Sequence, residues 1–180
     1  MKLPRLSHSG VAYRDKYQSI QKIEADFGRF SKTYYLHDHG DRVGIIVLQQ
    51  SKMLLVKQYR LLVNGPSLEI PGGKIEPGES PKLSAIRECL EETGIRCKSA
   101  RRLIRYMPGM DVYLNPTEIF VASATGRRIT PRPRSGEQEV VLGAVWLPVS
   151  KVVKMIFAGQ IQCGLTILGT LAYVQKHPPI

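Results

Sequence analysis

"GKIEPGESPKLSAIRECLEETGI", residues 73–95, decides how the rest of this chain is read. The chain carries 26 Lys and Arg against 15 Asp and Glu, a formal net charge of +11. Yet five of those 15 acids, Glu76, Glu79, Glu88, Glu91 and Glu92, fall in this one segment. Its middle predicts a helix with defined ends. Ser80 is a good N-cap, Pro81 sits at the first helical position where its missing N–H costs nothing, and Gly94 suits a left-handed stop. At about 100° per residue, Glu88, Glu91 and Glu92 share one arc while Leu83, Ile86 and Leu90 lie almost opposite. The expectation is a helix that buries the Leu83, Ile86 and Leu90 face and leaves the carboxylates on a solvated one.

Such a face is costly. Like charges at i,i+3 and i,i+4 destabilise a helix by roughly a few tenths of a kcal/mol per pair. Glu91 and Glu92 also lie near the negative end of the helix dipole. Interspersed Lys would relieve an ordinary acidic surface, and a divalent cation would relieve a binding site. Oxygen ligands at this density suit Mg²⁺ or Mn²⁺ rather than zinc, and no His/Cys set accompanies them. Spacing alone leaves both readings open.

Gly73, five residues, Glu79, seven residues and then Arg87-Glu88-Cys89-Leu90-Glu91-Glu92-Thr93-Gly94-Ile95 resembles the Nudix box of the Nudix hydrolases at every fixed position. Cys89 stands where an aliphatic residue is usual, and a buried thiol acts as a small hydrophobe. The resemblance implies an α/β (α+β) fold, a Nudix-type α/β/α sandwich around a mixed sheet. It also implies hydrolysis of a diphosphate linkage with Mg²⁺, or Mn²⁺ in its place. Glu88 and Glu92 are the implied metal ligands, Glu91 a bridging ligand or base, and Gly72 a carbonyl donor. Arg87 would orient a glutamate by ion pairing, with Glu79 bracing the loop.

Outside the box the chain looks like the ADP-ribose pyrophosphatase branch of that family, through "LLVKQYR", "SLEIPGGKIEPGE", "RYMPGM" and "TEIFVA". Residues 1–42 read as an antiparallel β-arm turning at Phe27-Gly28, and 43–180 as the Nudix domain. The branch implies that the arm forms a homodimer and contributes to the substrate pocket, with Arg29 and Lys32 as its candidate cations. It also implies a base on the late loop "PRSGEQEVV", where Glu139 and Glu137 are the candidates. Arg60, Glu69 and Met110 are the candidate substrate-binding residues, and Tyr59 and Trp146 read as packing. His37 and His39 could pair on a metal by residue type, but a turn or surface role fits their position better.

A chain of 180 residues with 43% hydrophobic and 23% charged residues suits a soluble globular protein. No apolar run reaches the roughly 18 residues of a membrane span, and the opening residues lack a signal-peptide core. Three cysteines without CxxC spacing read as reduced, buried thiols of a cytoplasmic protein. The positive charge implies anionic partners without choosing among them. The expected substrate is ADP-ribose, cleaved to AMP and ribose 5-phosphate, or another nucleotide sugar. Dinucleoside polyphosphates or RNA 5′ ends are the alternative substrates. From another class, a non-catalytic nucleotide-sensing or nucleic-acid-binding module is the competing reading.

Overall fold

The computed structural model describes residues 3–126 and 140–177. They divide into two compact units, residues 1–41 with 106–117, and residues 42–105 with 118–180.

The first unit is built on a three-stranded antiparallel sheet, β1 (Arg5–Arg14), β2 (Ser19–Asp26) and β3 (Ser31–Asp38), paired in the order β1-β2-β3. The turn between β2 and β3 falls at the expected Phe27-Gly28. Gly28 has φ +82°, its N–H donates to the Asp26 carboxylate at 2.7 Å, and Phe27 stacks on Phe30 at 4.8 Å. Residues 106–117 belong to this unit through backbone pairing at His37. The His37 N–H donates to the Val112 carbonyl at 2.7 Å, and the Leu114 N–H donates to the His37 carbonyl at 3.0 Å.

The second unit holds a seven-stranded sheet: β4 (Arg42–Gln49), β5 (Lys52–Arg60), β6 (Gly65–Glu69), β7 (Gly72–Lys74), β8 (Arg96–Tyr106), β9 (Thr117–Thr125) and β10 (Val141–Pro148). The order is β10-β5-β4-β9-β8, with β6 pairing to β5 and β7 to β4. Among the described residues three α-helices complete it, α1 (Pro81–Thr93), α2 (Val149–Phe157) and α3 (Gly164–Lys176).

Alternation along β4 assigns the faces. Val43, Ile45 and Val47 share a core cluster with Ala85 and Cys89 of α1. Gly44 points the other way, where a Cβ would meet Leu165 of α3 at 3.0 Å. Helices therefore cover both faces of the sheet, the expected α/β/α layering. Gly159 has φ +71°, a left-handed conformation shortly after the end of α2. Among the described residues no helix is long and apolar enough to cross a membrane.

Candidate active site

Helix α1 begins and ends where its sequence says it should. The Ser80 side chain accepts from the Leu83 N–H, Pro81 opens the helix, and Gly94 closes it at φ +69° with its N–H on the Leu90 carbonyl. The buried face differs from the expected one. Ser84, Ala85, Cys89, Glu92 and Thr93 are buried, while Leu83 is 59% exposed and Ile86 and Leu90 are half-buried. The helix is rotated by roughly a third of a turn from the hydrophobic prediction, at about 100° per residue. Ala85 and Cys89 are small enough to let its backbone approach β4 and β7 closely. Large side chains are left on the shoulder of the contact, and Glu92 is carried into the interior, 7% exposed rather than solvated.

That rotation aims the carboxylates at β7. The Gly72 N–H donates to Glu92 Oε2 at 3.1 Å. A Cβ on Gly73 would lie 2.5 Å from Glu88 Cδ, so only glycine leaves room for the Glu88 carboxylate there. On Gly72 a Cβ would lie 2.3 Å from the Val43 carbonyl oxygen, which enforces glycine for pairing with β4.

Arg87 ties the remaining acids together. Its Nε donates to both Glu79 oxygens at 3.1 and 3.2 Å, and Nη2 donates to Glu79 Oε2 at 3.0 Å. Nη1 donates to Glu88 at 2.7 Å and to Glu91 at 3.0 Å. Nη2 also reaches the Lys74 carbonyl and the Ser84 hydroxyl. Burial opposes the Arg87 charge, but the Glu79, Glu88 and Glu91 carboxylates outweigh it and raise its pKa. In return Arg87 holds the Glu79 carboxyl below its ordinary 4.5, against the smaller effect of burial. The loop from β7 to α1 is thus fastened to the helix through one guanidinium.

A second ion pair lies on β5 and β6. Arg60 donates through Nε and Nη2 to the two oxygens of Glu69 at 2.9 and 2.8 Å, and Gln58 adds a third bond at 3.0 Å. Burial pushes the Glu69 carboxyl up, but Arg60 outweighs it and the net shift is down. Cys163 lies near, its thiol pushed up by burial and by the Glu69 charge.

Met110 belongs to the other unit and is 84% exposed. Arg29 and Lys32 sit on that unit's β2–β3 hairpin, exposed, with the Lys32 ammonium over the Tyr34 ring at 4.5 Å. Glu137 and Glu139 lie outside the described residues. His37 and His39 form an aromatic cluster with Tyr113; His37 lies inside β3 rather than in a turn, and just beyond that strand His39 bonds the Asn115 side chain and the Gly40 carbonyl. Trp146 packs on the core, whereas Tyr59 is 39% exposed and donates its hydroxyl to Asn64. The three cysteines are free; Cys89 is buried as expected, whereas Cys97 and Cys163 are only half-buried. Sequence reasoning missed β7 and the Gly72 to Glu92 bond. The Gly72-Gly73 pair was the available signal, since adjacent glycines before a carboxylate helix mark a close approach.

Among the described residues no three His, Cys, Asp or Glu side chains converge as a finished cation cage. The donor chemistry nevertheless fits a hard divalent ion, with three carboxylates on neighbouring turns of α1 beside the half-buried glycines of β7. Arg87 occupies two of those carboxylates with its own charge.

The NUDIX domain profile matches residues 38–162, and the chain belongs to that family. It is a hydrolase of phosphorus-containing anhydrides, a family that generally works with divalent cations. The chain is 24% identical over 154 residues to the CMP-5'-(N-acetyl-N-hydroxy-3-aminopropyl)phosphonate hydrolase of Streptomyces rubellomurinus, covering 86% of this chain and 73% of that protein. It is 32% identical over 87 residues to the ADP-ribose pyrophosphatase of Bacillus subtilis, covering 48% of this chain and 47% of that one. The chain thus spans about half to three quarters of the length of these curated relatives. A crystal structure of an ADP compounds hydrolase superposes with a TM-score of 0.81 at 16% identity, covering 100% of this chain and 98% of the other, which shows the shared fold.

Proposed function

We propose that this hydrolase cleaves the diphosphate linkage of a nucleoside diphosphate derivative, ADP-ribose first among them, to AMP and ribose 5-phosphate with Mg²⁺ as the ion. The observation that carries the reading is the α1–β7 arrangement. Glu88 and Glu92 lie against Gly72 and Gly73, and Arg87 spans Glu79, Glu88 and Glu91. The resemblance to an ADP-ribose pyrophosphatase supports the choice of substrate.

Glu88, Glu92, Glu91 and the Gly72 carbonyl would hold the ion. When bound it would screen the phosphate charge and acidify a water. A new bond forms between the water oxygen and one phosphorus, and the bridging P–O bond breaks. The water's proton passes to a carboxylate, Glu91 or one of the loop acids Glu139 and Glu137. Arg87 keeps the glutamates oriented through the reaction. Arg60 and Glu69 would meet the sugar-phosphate end.

The deciding experiment compares kcat/KM for ADP-ribose, GDP-mannose, diadenosine polyphosphates and 5′-triphosphate RNA at saturating Mg²⁺. ADP-ribose should lead. A tenfold advantage for any other compound would overturn the substrate while leaving the chemistry. Glu92→Gln keeps an acceptor for the Gly72 N–H but loses the charge. It should therefore fold normally and lower kcat by two or more orders of magnitude, and activity within a few-fold of wild type would remove Glu92 from the ligand set.

A further inference from the structure

On the face of the sheet opposite α1, the last turn of α3 and strands β8 and β9 border a cavity of about 290 Å³. Ser99 and Arg101 of β8 and Val121, Ala122 and Ser123 of β9 line it, with Ser99 in the left-handed conformation at φ +57°. Leu48 and Val121 give this cavity an apolar floor, while Arg101, Ser99, Ser123, Tyr173 and His177 supply its polar and aromatic wall.

Among the described residues the charge in it has no carboxylate counter-ion. Arg101 Nη2 lies 3.2 Å from His177 Nε2, and His177 Nδ1 lies 3.0 Å from the Tyr173 carbonyl. The carbonyl can only accept, so it fixes the ring proton on Nδ1 and leaves Nε2 to accept from Arg101. A neutral imidazole thus holds the guanidinium without neutralising it. Further along the same strand, Arg102 and Arg105 are matched with Glu118. No described carboxylate forms an ion pair with Arg101. Next to it the Tyr173 and His177 rings stack at 4.6 Å with 19° between their planes, a flat wall beside a fixed cation.

We propose that this cavity is a second binding site, for a nucleoside monophosphate. Arg101 offers a planar fork to the phosphate oxygens, as guanidinium does for phosphate generally. Ser99 and Ser123 offer hydroxyls, and the ring pair offers a face to the base. The volume suits one nucleotide rather than a polymer. The negative end of α3 opposes an anion, and the Lys176 ammonium, which donates to the Leu103 carbonyl at 2.7 Å, lies in that same turn to offset it. The inference does not depend on the hydrolytic reading, since none of these residues serves the α1 site.

The test titrates the full chain in chelator-containing, metal-free buffer with AMP, adenosine and inorganic phosphate, followed by backbone amide NMR. AMP should shift the amides of Ser99, Arg101, Ser123 and His177 saturably, and phosphate should shift the same set more weakly. Adenosine should bind at least tenfold more weakly than AMP. Arg101→Gln, at an exposed position, should weaken AMP at these amides by tenfold or more with the hydrolytic rate unchanged. Ser123→Asp, which adds a carboxylate to the cavity, should abolish it. Shifts confined to α1 and β7, adenosine matching AMP, or unchanged affinity in both variants would each overturn the proposal.

Discussion

Arg87 is the residue on which the candidate site turns. Three carboxylates within hydrogen-bond reach of one guanidinium would repel one another if it were removed, and its side chain is only 17% exposed. Breaking a buried pair on one side costs about 3–5 kcal/mol, and partial solvation here reduces that to roughly 2–3 kcal/mol for Arg87→Ala. Arg87→Lys should recover little of it, because a single ammonium cannot serve Glu79, Glu88 and Glu91 along separate directions. Urea unfolding of the three proteins checks this, and a lysine variant as stable as wild type would refute the fork argument. The same network sets a pH response. Arg87 lowers the folded-state pKa of Glu79 below 4.5, so the stabilisation is present above that pH and is lost as pH falls through the lowered value. The urea midpoint should fall below about pH 4.5, and the fall should be shallower in Glu79→Gln. Parallel curves for the two proteins would show that the Glu79 contact contributes nothing.

At the scale of elements, β7 and α1 act as one device. Gly73→Ala and Gly72→Ala differ by one position and should separate activity from stability. A methyl on Gly73 meets the far end of Glu88, which can swing aside, so the fold should lose only about 1 kcal/mol. The displaced carboxylate should nonetheless cost activity on the order of 10²-fold, as ångström misplacements do. A methyl on Gly72 meets the Val43 carbonyl 2.3 Å away, backbone that cannot yield. That variant should lose several kcal/mol, roughly 3 or more, or fail to fold. Thermal unfolding beside kcat/KM decides the matter, and a fully active Gly73→Ala would detach Glu88 from the chemistry. Why the sequence disclosed some of this and not the rest follows from range. Ser80, Pro81 and Gly94 were legible because capping is settled within one turn of chain. The buried face of α1 was not, since it depends on how closely β4 and β7 let Ser84, Ala85 and Cys89 approach. Strand β7 is three residues long, two of them glycine, and carries no alternation to detect. The pairing of 106–117 with His37 joins residues more than seventy positions apart, which local pattern cannot register.

For the whole molecule, the unit made of residues 1–41 and 106–117 poses a stability problem that a second copy would solve. Its only buried described residues are Ser19, Ala25, Asn115 and Thr117, and just one of these is apolar. Nearly all of β1 is exposed, and β1 is an edge strand with unpaired backbone on its outer side. Leu6, Tyr17, Phe30 and Tyr35 are between 57% and 66% exposed. That much apolar surface on so small a core is what a self-complementary subunit contact covers. The expected outcome is a homodimer at micromolar concentration. Leu6→Glu combined with Phe30→Glu should shift it to monomer while the far-ultraviolet dichroism keeps its strand signature. Salt supplies a second handle. Each copy carries a net charge of +11, so two copies repel, and raising ionic strength should tighten an apolar dimer rather than loosen it. An association held by ion pairs would respond the opposite way. Sedimentation at low and high salt reads both. A monomer mass at both salts would reject the dimer, and a dimer that dissociates as salt rises would show that charge, not the apolar surface of the arm, holds the copies together.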